Sequence, residues 1–426
     1  MATKPFSLDS EWQYGRLSPM PSKVPDGWTL TTLTSVARLE SGHTPSRRHP
    51  EYWDGGVPWL SLHDSKSLDK PEIEETVQTI SELGLANSSA RLLPAGTVVF
   101  SRTATVGKAT ILGRPMATSQ DFANYVCGDH VHNRYLMQLF RFLQPEWKRL
   151  MAGSTHKTIY MPVFENLQVL LPPISEQEKI AEIVASVDEA IDASQAIIDQ
   201  LQVVKKAMMG ELLTKGIPGR HSRFKKTEIG EVPEGWAVVD VLDVVERMRP
   251  AGAVQRSAYK TRGKYPVVDQ GAEFIAGYTD DASLVVDTTG PTILFGDHTR
   301  EWKYLDFPFV CGADGTQLLR AKSGINPRFL YFALSALPLK NLGYARHFKL
   351  LREAKIALPD CREQGEIANA VQAVVDRENA ERAKVAGLRE LKAALLSVLL
   401  TGEVRVRDGA PIPGPSPVAG EGRAEG

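Results

Sequence analysis

Val24-Pro25-Asp26-Gly27-Trp28 returns 208 positions later as Val232-Pro233-Glu234-Gly235-Trp236. A second set of strings closes each copy. Leu171-Pro172, Glu176-Gln177, Ile180-Ala181 and Leu213-Thr214 return 187 positions on as Leu358-Pro359, Glu363-Gln364, Ile367-Ala368 and Leu400-Thr401. The chain is therefore written twice, and the offsets of 208 and 187 make the second copy 21 residues shorter in its middle. A repeat of this length sets the architecture before any local element is considered. Alike ends around unlike middles predict one fold used for two versions of one task. Between the ends, Gly96-Thr97-Val98-Val99-Phe100 echoes Gly290-Pro291-Thr292-Ile293-Leu294-Phe295, and both read as a buried β-strand.

Each copy ends in a helical period. In the first, Ile180, Val184, Val187, Ile191, Ser194, Ile198, Leu201, Lys205, Met208 and Leu212 follow one another at spacings of four and three, the pattern of a coiled-coil seam. In the second, Ile367, Val371, Val374, Val385, Leu388, Leu395 and Leu399 form the seam, interrupted by Glu378, Glu381 and Lys392. Lys205 and Lys392 fall at equivalent positions, so a polar break is itself repeated. Ser175 with Glu178 reads as a capping box at the first start, Asp360 with Glu363 as a cap at the second, and Gly216 and Gly402 as the stops. A helix of about 38 residues is a rod of roughly 57 Å, longer than a small domain can cover. Two such rods bury their seams most simply on each other, antiparallel. The expected fold class is mixed α/β: two globular domains, each followed by a long helix, with a pseudo-twofold repeat. The expected order is an N-terminal segment (1–22), a first domain (23–173), its helix (174–215), a linker (216–231), a second domain (232–359), its helix (360–402) and a disordered Pro/Gly-rich tail (403–426).

At 426 residues, with 24% charged residues and a net charge of −1, the chain has the composition of an ordinary globular protein. Charge is nevertheless uneven. Lys and Arg outnumber Asp and Glu by 14 to 13 over residues 27–171 and by 16 to 13 over 236–359, whereas residues 175–215 carry 4 against 8. The globular parts are thus better suited than the rods to an anionic partner. Cys127, Cys311 and Cys361 lie far apart, which argues against a disulfide framework or a thiolate metal site and fits a reducing cytoplasm. No stretch approaches 18 uninterrupted apolar residues, so no membrane span is expected.

Catalytic motifs are not found. A methyltransferase would need a glycine-rich cofactor loop and an Asn-Pro-Pro-Tyr or Asp-Pro-Pro-Tyr string. Gly107-Lys108 is preceded by Arg102 where a phosphate-binding loop needs glycine. The expectation is that the chain has no catalytic residue and no metal ligands. Asp287 with Glu301-Trp302-Lys303 loosely matches the acidic and lysine pattern of metal-dependent nucleases, which keeps a nuclease as a minor alternative.

The remaining polar clusters suit binding. In the first half they are Ser101, Arg102, Thr103 and Lys108; then Thr118, Ser119, Gln120 and Asp121; then Ser154, Thr155, His156 and Lys157. In the second half they are His298, Thr299, Arg300 and Lys303; then Asp314, Thr316 and Gln317; then Tyr344, Arg346, His347 and Lys349. Such side chains supply the paired hydrogen bonds that read base edges and clamp phosphates.

Several longer strings, in order, carry a family resemblance from Val24 to about Thr401. They include Ser41-Gly42-His43-Thr44-Pro45-Ser46, Glu51-Tyr52-Trp53-Asp54-Gly55-Gly56-Val57-Pro58-Trp59, Leu171-Pro172-Pro173-Ile174-Ser175-Glu176-Gln177, Gly296-Asp297-His298-Thr299, Asp306-Phe307-Pro308-Phe309-Val310 and Gly312-Ala313-Asp314-Gly315. The chain resembles the specificity subunits of type I restriction-modification systems. The resemblance implies a non-catalytic, cytoplasmic subunit that binds double-stranded DNA at a bipartite asymmetric target. Each target-recognition domain would read one half-site, and the antiparallel helices would set the gap. It further implies two methyltransferase subunits, which carry S-adenosylmethionine and flip out adenine, as partners, and restriction subunits that use ATP and Mg²⁺. A stand-alone or remnant DNA-binding protein with the same fold is the other alternative.

Overall fold

The computed structural model describes residues 24–151, 158–286, 289–343 and 345–406. They form two compact units, one within Met1–Asp192 and Ala386–Gly426, the other within Ala193–Val385.

The first unit holds ten strands: β1 (Thr29–Thr32), β2 (Ala37–Ser41), β3 (Trp53–Leu60), β4 (Glu72–Ile73), β5 (Gln78–Ile80), β6 (Val98–Ser101), β7 (Ala109–Leu112), β8 (Ala117–Thr118), β9 (Phe122–Cys127) and β10 (Gln168–Leu171). A five-stranded sheet runs β2-β9-β6-β7-β4, beside a three-stranded sheet β5-β3-β8 and an antiparallel pair β1-β10. The central strand β6 is buried at all four residues, Val98 to Ser101, in keeping with the β-branched and aromatic Val98-Val99-Phe100. Phe100, Tyr125, Phe140, Trp147 and Phe164 fill the core behind it, under the helices Asn133–Phe142 and Gln144–Met151.

The second unit repeats this plan. Its strands are β11 (Phe224–Thr227), β12 (Gly230–Pro233), β13 (Ala237–Asp240), β14 (Val245–Met248), β15 (Ala253–Val254), β16 (Tyr265–Val268), β17 (Gly277–Thr279), β18 (Thr292–Gly296), β19 (Trp302–Leu305), β20 (Val310–Gly312), β21 (Thr316–Ala321) and β22 (Lys355–Leu358). The order β14-β21-β18-β19 matches β2-β9-β6-β7, β13-β22 matches β1-β10, and β20-β16-β17 matches β8-β3-β5, with β15 added at the edge. The strand echo in the sequence therefore pairs β6 with β18, the buried central strands of the two larger sheets. Among the described residues the helix Gln144–Met151 has no counterpart between β18 and β22, and strand β4 none between β16 and β17, which accounts for part of the length difference.

The long helices span Ile174–Lys215 and Cys361–Leu399. The first begins earlier than the Ser175 capping box would place it. The N–H groups of Glu176 and Gln177 donate to the Pro173 carbonyl, so Ser175 lies inside the first turn. At the second start Asp360 does act as the cap, its carboxylate accepting the Glu363 N–H at 2.8 Å. Gly216 and Gly402 follow the helix ends at positive φ (77° and 71°), a conformation that favours glycine.

Within the first unit, Ile180, Val184 and Val187 are buried and Ile191 is half-buried. On the returning helix Leu388 and Leu395 are half-buried, and Leu396 and Leu399 are more deeply covered. Lys392 there bonds Asp188 at 2.6 Å while Arg405, beyond the helix end, bonds Glu176 at 2.8 Å, so the two segments run antiparallel. Within the second unit, Ile198, Ile367 and Val371 are buried and Leu201 and Val374 are half-buried, with Lys205 bonded to Glu378 at 2.6 Å. The repeated lysine breaks of the seam are thus paired with carboxylates of the facing helix rather than solvated. Burial raises the Glu378 proton affinity, but the hydrogen bonds from Lys205, Arg382 and Gln202 outweigh it and hold the carboxyl below its usual range.

One hydrogen-bond joint ties helix to domain in each unit. Trp28 Nε1 donates to Glu176 at 3.1 Å, and Trp236 Nε1 donates to Glu363 at 3.0 Å. The adjacent glutamines act alike: Gln177 donates to the Pro172 carbonyl and accepts the His132 N–H, while Gln364 donates to the Pro359 carbonyl and accepts the Asn326 N–H. The repeated strings are therefore one joint made twice. Each carboxylate also takes a side-chain hydrogen bond from the segment that follows a helix end. Arg405 binds Glu176 through two nitrogens, and His221 binds Glu363. Arg405 and Val406 belong to the stretch expected to be a disordered tail, but both are hydrogen-bonded to Glu176. Residues 1–22 and 407–426 lie outside the described residues.

Candidate DNA-recognition surfaces

In the first unit the first two polar clusters and the segment from Thr158 converge on the end of β6, and Arg102 is their hub. Its backbone N–H donates to the Asp121 carbonyl at 3.0 Å, its Nε to the Gln120 carbonyl at 2.9 Å and its Nη1 to the Ile159 carbonyl at 3.2 Å. The Ile159 N–H returns a bond to the Arg102 carbonyl at 2.9 Å, and Thr103 bridges to Thr158. Three sequence-distant loops are thereby sewn together. Burial pushes the Arg102 guanidinium below its usual range, opposed by Asp121 and Tyr160. Thr155, His156 and Lys157, with Ser154, lie outside the described residues, directly before the segment held by Arg102.

Several of the expected contact residues serve this construction instead. Ser101 is fully buried and hydrogen-bonds Thr105 Oγ1 at 2.8 Å. Lys108 is bonded to Asp69 at 2.6 Å and to the Ser65 carbonyl at 3.1 Å. Ser119 is buried against Asp121. Gln120 is exposed, and its carboxamide oxygen accepts from Thr44 at 2.6 Å, which brings the loop after β2 to the same place.

The second unit assembles its three clusters at the equivalent end of β18, around Asp297 and Gln270. The Asp297 N–H donates to the Gly315 carbonyl at 2.7 Å; its own carbonyl accepts both the His347 N–H and Nδ1, and its carboxylate accepts the Phe348 N–H. Gln270 accepts the His298 N–H at 3.0 Å, donates to the Asp314 carbonyl at 2.9 Å and accepts Thr299 Oγ1 on its own carbonyl at 2.6 Å. The turn after β18 places Arg300 at φ 65°, as the turn after β6 places Ala104 at φ 58°. The two turns share a backbone shape that non-glycine residues adopt only under strain.

Here too some expected contacts face inward. Lys303 is buried on β19, with its ammonium held by the Asp269 carbonyl at 2.8 Å and by the Glu273 carbonyl. Burial lowers its proton affinity against the pull of Asp269, Glu301 and Glu273. His347 is fully buried, both ring nitrogens being engaged, Nδ1 by Asp297 and Nε2 by the Leu342 N–H. Arg300 donates to the Leu339 carbonyl. Thr316 and Gln317 are half-buried on β21; Thr299, Arg346 and Lys349 are exposed. Tyr344 lies outside the described residues. The described members of the nuclease pattern do not share a surface. Asp287 is outside the described residues, and Glu301 is exposed while Lys303 points inward. Among the described residues no three His, Cys, Asp or Glu are grouped to hold a metal ion.

Comparison with known proteins agrees with this duplicated architecture. The family model for the type I restriction modification DNA specificity domain matches residues 25–203 and again 233–386, one match per copy. The MjaIX specificity subunit of a type I restriction enzyme from Methanocaldococcus jannaschii is 23% identical over 431 residues, covering 95% of this chain and 99% of that protein. The MjaVIII specificity subunit of the same organism is 24% identical, covering 91% and 95%. Among solved structures, the S subunit of a type I restriction-modification system from M. genitalium superposes with a TM-score of 0.59 at 14% identity, over 88% of this chain and 97% of that one. A chain of another type I system gives 0.55 at 18% identity, over 90% and 100%. The duplicated joint, the paired sheets and the two family matches lead to one conclusion: this chain belongs to the family of type I restriction-modification DNA specificity subunits.

Proposed function

We propose that the chain directs a type I complex to a bipartite, asymmetric DNA target, each unit reading one half-site through the loops gathered at the end of its central strand. The observation that carries this reading is the convergence of three polar loops at equivalent places in two units whose loop residues differ. Arg102 and Gln120 occupy one such place, and Asp297, Thr299, Arg346 and Lys349 the other. The exposed members, Gln120, Thr299, Arg346 and Lys349, contact bases or phosphates. The buried Ser101, Ser119, Lys303 and His347 and the half-buried Arg102, Thr103, Lys108 and Arg300 hold the loops in place, and Thr316 and Gln317 border the second surface. Thr155, His156 and Lys157 join the first surface as candidates by sequence.

In this reading the catalytic work belongs to partner chains. Two methyltransferase subunits bring S-adenosylmethionine, restriction subunits bring ATP and Mg²⁺, and the complex acts in the cytoplasm. The helix pair sets the number of base pairs between half-sites. The test is a map of modified adenine in the host genome with the gene intact and deleted. Loss of modification at one bipartite motif is expected on deletion; an unchanged map in a host that transcribes the partner genes would contradict the reading.

A further inference from the structure

The loops of the two units look unalike, but each displays the same three-part device. In the first unit the Arg47 guanidinium carbon lies 3.6 Å from the ring centroid of Trp53, and Nη2 donates to Gln78 Oε1 at 3.0 Å. Trp53 is itself fixed, edge-on to Trp59 and bonded through Nε1 to the Ser46 carbonyl. In the second unit the Arg247 guanidinium carbon lies 4.4 Å from the ring centroid of Phe348, and Nη2 donates to Gln317 Oε1 at 2.7 Å. Phe348 is fixed through its N–H to Asp297, at the centre of the second loop cluster. Both arginines are exposed, and among the described residues each guanidinium has one hydrogen-bond acceptor, the glutamine.

An exposed arginine normally samples many rotamers, and binding must suppress them. A guanidinium held over an aromatic ring and fixed by a carboxamide has already lost much of that freedom. Its remaining N–H groups project in one plane, the geometry that meets the paired O6 and N7 acceptors of guanine in the major groove. A phosphate anchor needs only a charge within reach and gains little from such a mount. The two devices also sit at non-equivalent positions. Arg47 follows strand β2, while Arg247 lies within β14, the strand that matches β2. They are therefore not a by-product of the duplicated scaffold.

We propose that Arg47 and Arg247 are specificity-determining residues, each reading one guanine, Arg47 in the half-site of the first unit and Arg247 in that of the second. The proposal rests on the DNA-recognition reading and assigns it particular side chains. The probe is a duplex library with randomised positions, selected on the complete methyltransferase complex and sequenced. Wild type should enrich a two-part motif containing a guanine in each half. R47A should lose discrimination at one G·C position of one half, by roughly 5- to 150-fold, and leave the other half sharp. R247A should do the same in the other half, and R47K and R247K should not restore the lost position, since lysine lacks the fork. The untouched half of the motif reports that the variant complex is assembled, and a misfolded unit would erase its whole half-site rather than one position. Weaker binding with both halves equally sharp would overturn the proposal in favour of phosphate contacts, and so would an unaltered motif. Failure of wild type to enrich any bipartite motif would overturn the underlying reading itself.

Discussion

The two joints are built from the same residues, and the two recognition surfaces are not. Trp28 on Glu176 and Trp236 on Glu363 are interchangeable in geometry, down to the glutamine beside each glutamate. At the ends of β6 and β18, by contrast, an arginine sews the loops together in one unit and an aspartate in the other. What is repeated is what must mate helix to domain; what differs is what faces a partner. A duplicated chain can hold its scaffold constant in this way while its two surfaces diverge.

If the joints are truly equivalent, breaking either should be equally damaging. Trp28→Ala and Trp236→Ala each remove a buried indole and one hydrogen bond to a buried carboxylate, and each should cost about 3–5 kcal/mol in denaturant unfolding. A large loss from one and none from the other would end the equivalence. The polar seam sharpens the comparison at intermediate scale. Lys205→Met leaves Glu378 in the seam with Arg382 as a remaining ion-pair partner, and should destabilise by about 1–3 kcal/mol. Lys205→Met combined with Glu378→Met should recover most of that loss, because an apolar seam no longer has charges to desolvate. If the double variant is no better than the single, the pair is contributing more than its own desolvation.

The first joint should respond to acid. Burial raises the Glu176 proton affinity, but bonds from Arg405, the Val406 N–H and Trp28 outweigh it and leave its carboxyl below the ordinary range. A depressed carboxyl contributes stability above the unfolded-state pKa, about 4.3, and that contribution is lost as pH falls through the folded value. The first unit should therefore weaken on acidification below about pH 4.3, and Glu176→Gln should flatten that dependence. An acid limb of unchanged slope in E176Q would contradict it. The smallest effect is expected at the surface. Lys349→Ala should leave thermal stability within about 0.5 kcal/mol, yet weaken DNA binding at all sequences and reduce the salt slope by about 1.

Much of this was legible in the sequence because periodicity and repetition are local. The helices follow from apolar spacing, and Lys205 and Lys392 announced a repeated polar break. The six polar clusters were visible as strings, but the direction of each side chain was not. Lys303 lies between Trp302 and Tyr304 on a strand whose alternation puts it inward, and only the carbonyls of Asp269 and Glu273 make that position tolerable. His347 read as a surface ligand because its partner, Asp297, is 50 residues away. Ser175 had the spacing of a cap, but the Pro173 carbonyl had already started the helix. Arg47 and Arg247 were invisible for the same reason, since neither means anything without the ring and the carboxamide that hold it. Both hubs were within reach: Arg102 stood among the candidate contact residues, and Asp297 lay inside the Gly296-Asp297-His298-Thr299 string that carried the resemblance.

The central claim, that each unit reads its own half of one target, is tested most directly by exchanging residues 237–358 for the corresponding segment of another member of the family. Modified-base mapping on the host genome then reads the result. The account predicts a new sequence in one half of the motif, with the other half and the spacer unchanged. A motif altered in both halves, or left as it was, would contradict it.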